Sequence, residues 1–303
     1  MQDLIIIGGG IAANSAAIYT ARAKINTLVI SGPELDQLST TTLVENFPGF
    51  PEGVMGPDLV ENSKKQAQKF GAKYKSGLVD SFNIKKGYYE IGIGKEKLQA
   101  KSIIIATGAA PRKLEIKGEK EYWSKGVSSC AVCDAPIFRD KESIIVGGGD
   151  AAIEEAIALS KFAKKVTLIH RRDKLRASKI MQDKLKKLKG LNIIMDTEVI
   201  EIIGDGKFVS GIKLKNTKTN KNSELKCQGV FLAIGHIPNT TIFKNKLKLD
   251  KIGYIITDKQ SKTSLPGIFA AGDCQDPIFK QAATSAGTGV QAALSAEKYI
   301  EDK

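Results

Sequence analysis

The sequence contains few of the residues that define several common protein classes. Of its 303 residues only 4 are Cys, 9 are Pro and 2 are His, and aromatic residues make up 6%. So few cysteines exclude a disulfide-dense scaffold, and 42% hydrophobic residues exclude a disordered or collagen-like chain. No run approaches the roughly 18 uncharged apolar residues that a membrane helix needs. We therefore expect a soluble globular protein of about two domains.

The beginning of the sequence also lacks targeting features. It enters an apolar strand at 3–7 without a basic segment or a small-residue cleavage site, which predicts that there is no signal peptide. Two of the four cysteines stand three positions apart, a spacing that favours a reducing compartment and thiols used in catalysis or metal binding. We therefore expect a cytoplasmic protein.

Basic residues outnumber acidic ones, with 46 Lys+Arg against 33 Asp+Glu and a net charge of +13. The lysines are scattered over predicted helix faces and loops, and few aromatic side chains are present to stack on bases, which argues against nucleic acid. A solvated lysine-rich surface is the first interpretation, and a field that steers anionic ligands or an acidic partner is the second. We expect neither a nucleic-acid partner nor a membrane partner.

One pattern occurs twice. An apolar strand at 4–7 leads into glycines 8–10 and a small-residue helix, and an apolar strand at 144–146 leads into glycines 147–149 and another helix. Both copies read G-x-G-x-x-A, with Ala13 and Ala152 at the last position. In this context the glycine turn brings the backbone close to a pyrophosphate, which the helix N-terminus binds. One copy would also fit a plain βα turn, whereas two predict two Rossmann-like dinucleotide-binding domains.

The two copies differ in the residues that follow their second strand. The second copy continues with His170, Arg171 and Arg172, and Arg176 follows closely. Guanidinium groups bind phosphate in pairs of hydrogen bonds, so this cluster predicts the 2′-phosphate of NADPH, with a solvated basic loop as the alternative. The first copy continues with one acid, Glu34, and no basic cluster. It fits a nucleotide with a free ribose, such as the adenosine half of FAD.

Two later segments also favour a flavin. Apolar strands end in glycine turns at 103–108 and 267–273, and Asp273 in the second could bind a ribityl hydroxyl. Strands often end in Gly-Asp for other reasons, so neither segment is specific by itself. A FAD-binding domain interrupted by an inserted domain would explain why the second strand arrives so late. The helix that follows would then direct its N-terminus at the isoalloxazine ring.

The two closely spaced cysteines lie just before the second glycine motif. Cys130 and Cys133 have the spacing of one helical face, and Asp134 follows as a possible proton relay for thiol–disulfide exchange. A zinc site would need two more ligands, and only Cys227, Cys274 and the two histidines remain. A redox-active pair is therefore the first interpretation, and a zinc site and a structural pair are the alternatives. Cys227 and Cys274 are interpreted as buried small hydrophobic residues.

These motifs together resemble the low-molecular-weight thioredoxin reductases, class II pyridine nucleotide-disulfide oxidoreductases. The resemblance runs nearly end to end, through blocks at 8–23, 37–51, 106–112, 130–134, 147–156, 170–178, 233–240, 267–273 and 280–293. It implies an α/β fold of two Rossmann-like, three-layer ββα domains. A FAD-binding domain at 1–115 and 245–303 would enclose an NADPH-binding domain at 116–244, and the protein would be a homodimer.

The resemblance also implies an activity and the role of each redox residue. The protein would pass a hydride from NADPH to FAD, then reduce the Cys130–Cys133 disulfide, and then exchange the dithiol with the disulfide of thioredoxin. Cys133 would be the flavin-side sulfur, Cys130 the attacking sulfur and Asp134 the proton donor. A rigid-body swivel with hinges near 112–118 and 240–248 would let both the dithiol and NADPH reach the flavin. The alternative enzymes are the NADP reductases of ferredoxin or flavodoxin, which lack the pair, a dithiol oxidase, and a glutathione-reductase-type enzyme, which would need a longer chain. A flavin-binding sensor or assembly module is the alternative from another class.

The remaining site residues follow from the motifs and the resemblance together. The predicted FAD-binding residues are Gly8, Gly10, Ile11, Ala12, Ala13, Ser31, Gly32, Pro33, Glu34, Gln37, Leu38, Asn46, Val79, Thr107, Gly108, Asp273, Lys280, Gln281 and Ala282. The predicted NADPH-binding residues are Gly147, Gly149, Asp150, Ala151, His170, Arg171, Arg172, Arg176 and Gly235. No metal is expected.

The sequence departs from the family pattern at a few positions. Ile11 and Ala13 replace the usual Pro and Gly of the first glycine motif, and Lys280 replaces an Arg. Residues 35–36 replace a Gly-Gly pair that would lie close to FAD. Asp134 runs directly into an Ala-Pro pair, which predicts a shortened turn beside the dithiol that re-aims it or alters the partner surface.

Overall fold

The structure is a computed structural model and describes residues 1–33, 36–188 and 190–303. The chain divides into two compact units, one formed by Met1–Ala110 and Ile237–Lys303 and the other by Pro111–His236. These are called unit 1 and unit 2. The domain boundaries predicted after residues 115 and 244 lie slightly beyond these points. Within the described ranges, no helix is both long enough and apolar enough to cross a membrane.

Unit 1 is built around one large sheet and three helices. Its strands are β1 (Gln2–Ile7), β2 (Thr27–Ser31), β3 (Leu43–Val44), β4 (Val54–Met55), β5 (Lys73–Ser76), β6 (Ser81–Lys85), β7 (Tyr88–Ile93), β8 (Glu96–Ile105) and β19 (Ile268–Ala270). Its α-helices are α1 (Ile11–Arg22), α2 (Gly56–Lys69) and α6 (Ala282–Glu301), and its 3-10 helices are Leu38–Thr40, Thr241–Phe243 and Gly272–Cys274. Strands β9 (Ala109–Pro111) and β18 (His236–Pro238) lie where the chain passes from one unit to the other.

The large sheet of unit 1 has the strand order β5-β2-β1-β8-β7-β6, and β19 pairs with β8. Strands β5, β2, β1, β8 and β19 are parallel, and β7 and β6 continue the sheet as antiparallel strands. Successive side chains of a strand point to opposite faces. Leu4 and Ile6 therefore join the core formed with α1, α2 and α6, while Ile5 and Ile7 join a second core on the other face.

Small residues let the helices of unit 1 approach closely. Ala12 in α1 lies between Gly272 and Gly289, the second of which belongs to α6. A Cβ atom added at Gly272 would lie 2.9 Å from the Cβ of Ala12, and one added at Gly289 would overlap the Ala12 carbonyl oxygen. Any larger side chain at these glycines would push α6 or the segment after β19 away from α1.

Unit 2, in the part that the structure describes, contains a parallel sheet, a smaller antiparallel sheet, three α-helices and one 3-10 helix. Its strands are β10 (Val127–Ser128), β11 (Glu142–Gly147), β12 (Lys165–Ile169), β13 (Leu191–Ile194), β14 (Thr197–Gly204), β15 (Val209–Asn216), β16 (Asn222–Lys226) and β17 (Gly229–Ala233). Its helices are α3 (Ala131–Asp134), α4 (Asp150–Leu159), α5 (Lys179–Lys186) and the 3-10 helix Ala135–Phe138.

The layers of unit 2 follow from its two sheets. The parallel sheet has the order β10-β17-β11-β12-β13, and β14, β15 and β16 form the antiparallel sheet. Ile145 packs with the residues of α4 and α5 on one face, whereas Ile144 and Val146 pack with Ile202 and Ile212 of the antiparallel sheet on the other. This is a three-layer ββα arrangement. The predicted fold of two Rossmann-like domains, the second inserted in the first, is confirmed.

A 3-10 helix follows the cysteine pair. The Ala-Pro pair directly after Asp134 begins this helix, Ala135–Phe138, and a further turn leads to β11 at Glu142. Proline is well accommodated in the first turn of a helix. Phe138 is 6% exposed and packs its ring edge-on against Phe231 in the core.

Candidate active site

The first glycine loop connects β1 to α1 in unit 1. Gly8 has a φ of +133°, and a Cβ there would overlap the carbonyl oxygen of Ala106 at the end of β8. Gly10 is the N-cap of α1, receives no side-chain hydrogen bond, and would place a Cβ no closer than 3.6 Å to any neighbour. The first glycine is thus required by the fold, whereas a Cβ at the last would only touch the Asp36 side chain beside the first turn of α1.

A buried polar side chain supports this loop from below. Asn14 is fully buried, and its Nδ2 lies 3.3 Å from the carbonyl oxygens of Gly9 and Val60 and 3.1 Å from Ser63 Oγ. Its Oδ1 accepts a 2.8 Å hydrogen bond from the Tyr74 hydroxyl. Burial, followed by the nearby charge of Glu61, raises the pKa of Tyr74, so this hydroxyl stays protonated and remains a donor. The network ties the glycine loop to α2 and β5.

Polar side chains from distant parts of the sequence meet near the start of α1. Gln37 Nε2 donates to the Ala109 carbonyl at 2.5 Å and lies 3.4 Å from Asp273 Oδ2. The Ser285 hydroxyl donates to Asp273 Oδ1 at 2.9 Å. Burial raises the pKa of Asp273, while the hydrogen bond from Ser285 acts in the opposite direction. Gly272 packs on Ala12, and this contact brings Asp273 to the N-terminal end of α1.

The other residues predicted to bind FAD lie in unit 1, except Glu34, which is outside the described residues. Asn46 Nδ2 lies 3.4 Å from Gln281 Oε1, just before α6. The Lys280 ammonium donates a hydrogen bond to the Pro277 carbonyl at 2.7 Å. Val79 is 7% exposed and packs its side chain in the second core. The remaining described members sit at strand ends, loops and helix starts of unit 1: Gly8, Gly10, Ile11, Ala12, Ala13, Ser31, Gly32, Pro33, Gln37, Leu38, Thr107, Gly108, Asp273 and Ala282.

The second glycine loop, between β11 and α4, repeats this arrangement in unit 2. A Cβ at Gly147 would lie 2.5 Å from the Ala233 carbonyl oxygen and 2.7 Å from the Cβ of Ala152. Gly149 is the N-cap of α4, again without a side-chain cap, and a Cβ there would meet nothing within 4 Å. Ala152 therefore has the role predicted for the small last residue of the motif, because it lets the helix pack against the strand.

A basic loop, residues 171–178, folds back onto the second glycine loop. The backbone N–H groups of Arg176 and Ala177 donate to the Gly148 carbonyl at 2.7 and 3.0 Å. The N–H of Ser178 donates to Asp150 Oδ1 at 2.6 Å. Arg171, Arg172 and Arg176 are exposed, and among the described residues no ion pair involves them. The predicted arginine cluster and the predicted glycine loop thus form one surface.

The remaining predicted residues of this group have different surroundings. His170 is 5% exposed and lies inside the loop rather than on its surface. Ala151 is exposed in the first turn of α4. Gly235 has a φ of +99° and accepts a 2.9 Å hydrogen bond from the backbone of Arg112.

The cysteine pair forms a disulfide at the start of α3. Cys130 and Cys133 are joined across a Cα–Cα distance of 5.4 Å. Cys130 is the N-cap of α3, and the N–H of Cys133 donates to its sulfur at 3.2 Å. When the disulfide is open, this N–H stabilises negative charge on the Cys130 sulfur, as amides at helix N-termini do for other anions.

A serine connects the disulfide to the neighbouring carboxyl group. The Ser128 hydroxyl donates to Asp134 Oδ2 at 2.5 Å and accepts a 3.0 Å hydrogen bond from the Cys130 N–H. Burial raises the pKa of Asp134, and the hydrogen bond from Ser128 partly opposes this effect. A carboxyl group with a raised pKa holds a proton at higher pH than usual and can donate it to a departing sulfur.

Metal binding, the alternative interpretation of the cysteines, receives no support from their neighbours. Among the described residues there is no group of three or more His, Cys, Asp or Glu side chains that could hold a metal ion. Cys227 and Cys274 are buried, as predicted. Burial raises the pKa of the Cys227 thiol to about 12 and that of Cys274 to about 11, so both remain unreactive thiols.

The two glycine loops have the shape and the donors that a dinucleotide requires. In each, the last glycine is the N-cap of a helix and has no side-chain cap hydrogen bond. A Cβ would meet nothing within 4 Å at Gly149, and at Gly10 its nearest neighbour would be the Asp36 side chain, 3.6 Å away. Backbone amides and a positive helix end match a pyrophosphate, and the exposed guanidinium groups beside the second loop match a further phosphate. The residues present therefore fit FAD at the first loop and NADPH at the second.

Several residues that complete the site were not found from the sequence. Ser128 connects Asp134 to the cysteine pair, Ser285 holds Asp273, and Asn14 supports the first glycine loop. The only sequence signal for Ser128 is its position two residues before the cysteine motif. Ser285 and Asn14 sit within helices, where a polar residue on the buried face is the only indication.

Comparison with known proteins agrees with this geometry. A family model described as pyridine nucleotide-disulphide oxidoreductase matches residues 2–289. The thioredoxin reductase of Chlamydia trachomatis is 46% identical over 99% of this chain and 98% of its own length. The NADPH-dependent thioredoxin reductase 3 of Arabidopsis thaliana is 43% identical over 99% of this chain, which spans 58% of that relative's length. The crystal structure of thioredoxin reductase from Streptococcus pyogenes superposes with a TM-score of 0.95 at 39% identity, covering 100% of this chain and 99% of its own. This chain therefore belongs to the pyridine nucleotide-disulphide oxidoreductase family, and its similarity to thioredoxin reductases extends over nearly its full length.

Proposed function

We propose that the protein is an NADPH-dependent flavoprotein that reduces the disulfide of thioredoxin or of a thioredoxin-like small protein. The observation that carries this proposal is the Cys130–Cys133 disulfide, which lies in the same unit as a glycine loop with an attached arginine cluster. Relatives named thioredoxin reductase match the chain over nearly its full length.

Each glycine loop would hold one cofactor. The first loop, with Gln37 and Asp273, would hold FAD in unit 1, and the second, with Arg171 and Arg172, would hold NADPH in unit 2. When bound, the two cofactors supply the hydride chemistry that opens the disulfide to two thiols, a change that takes up two electrons and two protons. The protein contributes the amides that bind the pyrophosphates and the guanidinium groups that bind the 2′-phosphate.

The dithiol then reduces the partner in two exchange steps. The Cys130 thiolate attacks one sulfur of the partner's disulfide, which breaks that bond, forms a mixed disulfide and releases the partner's other sulfur as a thiolate. The Cys133 thiolate next attacks the Cys130 sulfur, which re-forms the Cys130–Cys133 disulfide and releases the first partner sulfur. The partner gains two electrons and two protons, and the two cysteines of this chain lose two electrons.

Local contacts support the assignment of different roles to the two cysteines. Cys130 receives the N–H of Cys133, which favours negative charge on the sulfur that must attack first. The raised pKa of Asp134 suits a group that donates a proton to a departing sulfur, and Ser128 holds its carboxyl group next to the pair. Cys133 is then the sulfur on the flavin side.

The assembly and location are proposed on the family resemblance. The protein would act as a homodimer in the cytoplasm, where thioredoxin-like partners need a continuous supply of electrons. The two unpaired buried thiols, Cys227 and Cys274, are compatible with a reducing compartment.

Two variants of the purified protein test the proposal. The wild-type protein should be yellow, and NADPH added without air should bleach it. Cys133→Ser should still be bleached by NADPH but should lose turnover with thioredoxin, because the second exchange step needs this sulfur. The matched control is Cys227→Ala, which removes a buried thiol of the same unit that is not part of the disulfide and should keep turnover. A colourless preparation, or full thioredoxin reduction by Cys133→Ser, would refute the proposal.

A further inference from the structure

His170 follows the last residue of β12 and is enclosed between the second glycine loop and the basic loop. Its side chain is 5% exposed. A Cβ added at Gly148 would overlap the imidazole ring, so the ring lies directly against this glycine. On its other side, Nε2 lies 3.0 Å from the Lys174 carbonyl oxygen. A carbonyl oxygen only accepts, so Nε2 carries the proton in this contact.

Gly148 is therefore fixed from two directions. The imidazole of His170 lies against the Gly148 Cα. The Gly148 carbonyl accepts hydrogen bonds from the N–H groups of Arg176 and Ala177 at 2.7 and 3.0 Å. The ring also binds Lys174, in the middle of the basic loop. The basic loop thus closes over the glycine loop through the imidazole at one point and through the Gly148 carbonyl at another.

The first glycine loop provides an internal comparison. The strand registers pair Ile7 with Ile30 and Val146 with Ile169, so Ser31 in unit 1 occupies the position of His170 in unit 2. A Cβ at Gly9 would lie 2.8 Å from the Ser31 Cβ, which is the counterpart of the contact between Gly148 and the imidazole. The described residues after Ser31 carry no arginine cluster. Of these two equivalent positions, only the one in unit 2 carries a large side chain that reaches into the following loop, and that loop contains the three arginines.

The charge at this position is unsuited to binding a phosphate directly. Burial lowers the pKa of His170, and the charges of Arg176 and Arg172 lower it further, against the opposing effect of two backbone hydrogen bonds. Burial and the neighbouring arginines thus both disfavour the charged imidazolium form. The exposed positive charge of the loop belongs to Arg171, Arg172 and Arg176.

We propose that His170 is a positioning residue that fixes the basic loop so that its three arginines present their guanidinium groups to a 2′-phosphate. It thereby sets the preference for a phosphorylated over an unphosphorylated nicotinamide coenzyme without touching the phosphate. This inference rests on the proposed function in one respect, namely that the second glycine loop binds the coenzyme.

The test measures binding of NADP⁺ and NAD⁺ to the holoenzyme by calorimetry, so that no turnover is needed. His170→Leu removes the bond to Lys174 and leaves an apolar side chain of similar bulk. The substitution should weaken the binding of NADP⁺ by about tenfold or more, because a loop that is no longer fixed must be ordered on binding. The affinity for NAD⁺ should change by less than about twofold. His170→Gln keeps an N–H donor that can reach Lys174 and should retain most of the preference.

A second substitution and a control separate positioning from general damage. Gly148→Ala introduces a methyl group from the other side of the ring and should lower the NADP⁺ preference even with His170 intact. Val199→Ala removes buried methyl groups from the opposite face of unit 2 and should lower thermal stability without changing the preference.

Three outcomes decide the inference. A fall in the ratio of NADP⁺ to NAD⁺ affinity in His170→Leu, with recovery in His170→Gln, supports it. An unchanged ratio in His170→Leu, or an equal loss of both coenzymes, overturns it and leaves the proposed function standing. A wild-type protein that binds NAD⁺ as tightly as NADP⁺ overturns both the inference and the proposed coenzyme.

Discussion

Removal of the Tyr74 hydroxyl should loosen the first glycine loop at a distance. Tyr74 donates to Asn14 Oδ1 at 2.8 Å, and Asn14 Nδ2 reaches the Gly9 carbonyl at 3.3 Å. Tyr74→Phe leaves the buried Asn14 oxygen without this donor, and an unsatisfied buried acceptor costs about 1–3 kcal/mol of folding free energy. Asn14→Leu removes both the donor and the acceptor of the amide and leaves the Tyr74 hydroxyl without its acceptor. Its cost in folding free energy should be similar or larger.

The two substitutions act on one network, so their effects should not add. We expect the double variant Tyr74→Phe/Asn14→Leu to be more stable than the sum of the single effects predicts, by about 0.5–3 kcal/mol, because neither partner is left unpaired. Urea denaturation measures the stabilities, and the fluorescence of released FAD measures retention of the cofactor. Additive stabilities, or FAD retention equal to wild type in both single variants, would show that this network does not support the loop.

Three further substitutions test other parts of the site. Asp134→Asn should raise thermal stability at neutral pH and lower thioredoxin turnover. The pKa of the carboxyl is higher in the folded than in the unfolded chain, so its ionisation destabilises the fold as pH rises from the unfolded pKa to the folded pKa. The neutral amide removes this penalty. Melting curves at acid and neutral pH check this, and a stabilisation that is equal at both would contradict the pKa argument. Gly10→Ala should fold as stably as wild type, because its methyl group meets only the Asp36 side chain and at ordinary contact distance. It should bind FAD at least about tenfold more weakly, since the methyl group stands beside the amides that would bind a pyrophosphate. Gly8→Ala should instead lower stability by several kcal/mol, roughly the size of a severe core defect, because its methyl group meets the Ala106 carbonyl at a φ of +133°. Denaturation of the apoprotein measures the stability of each glycine variant, and FAD titration measures its affinity for the cofactor. Equal stability and equal FAD affinity of the two variants would contradict this prediction.

The features predicted correctly from the sequence are those encoded by residues close together in the chain. Each glycine loop carries its strand, turn and helix within about 20 residues, so its geometry follows from local propensity and pattern. The disulfide between Cys130 and Cys133 is likewise local. The insertion of unit 2 could be inferred because the segment around Asp273 arrives so late in the sequence.

The features that could not be predicted depend on contacts between distant segments. The partnership of Asn14 with Tyr74 spans 60 positions, and that of Gln37 with Asp273 spans 236. A polar residue on a helix reveals nothing about which strand will meet it. His170 illustrates the same limit, because its place beside an arginine cluster suggested a phosphate ligand, whereas the structure buries its ring against Gly148.

The contact of Ala12 with Gly289 has a consequence for synthesis on the ribosome. The helix that follows the first glycine loop gains its packing partner only after α6 has been translated, long after unit 2 is complete. Unit 2 is continuous in sequence, so all of its strands and helices have emerged while α6 is still to be translated. The nascent chain therefore carries an α1 that lacks this contact throughout the synthesis of unit 2. Chaperone contact at α1 should end when α6 arrives.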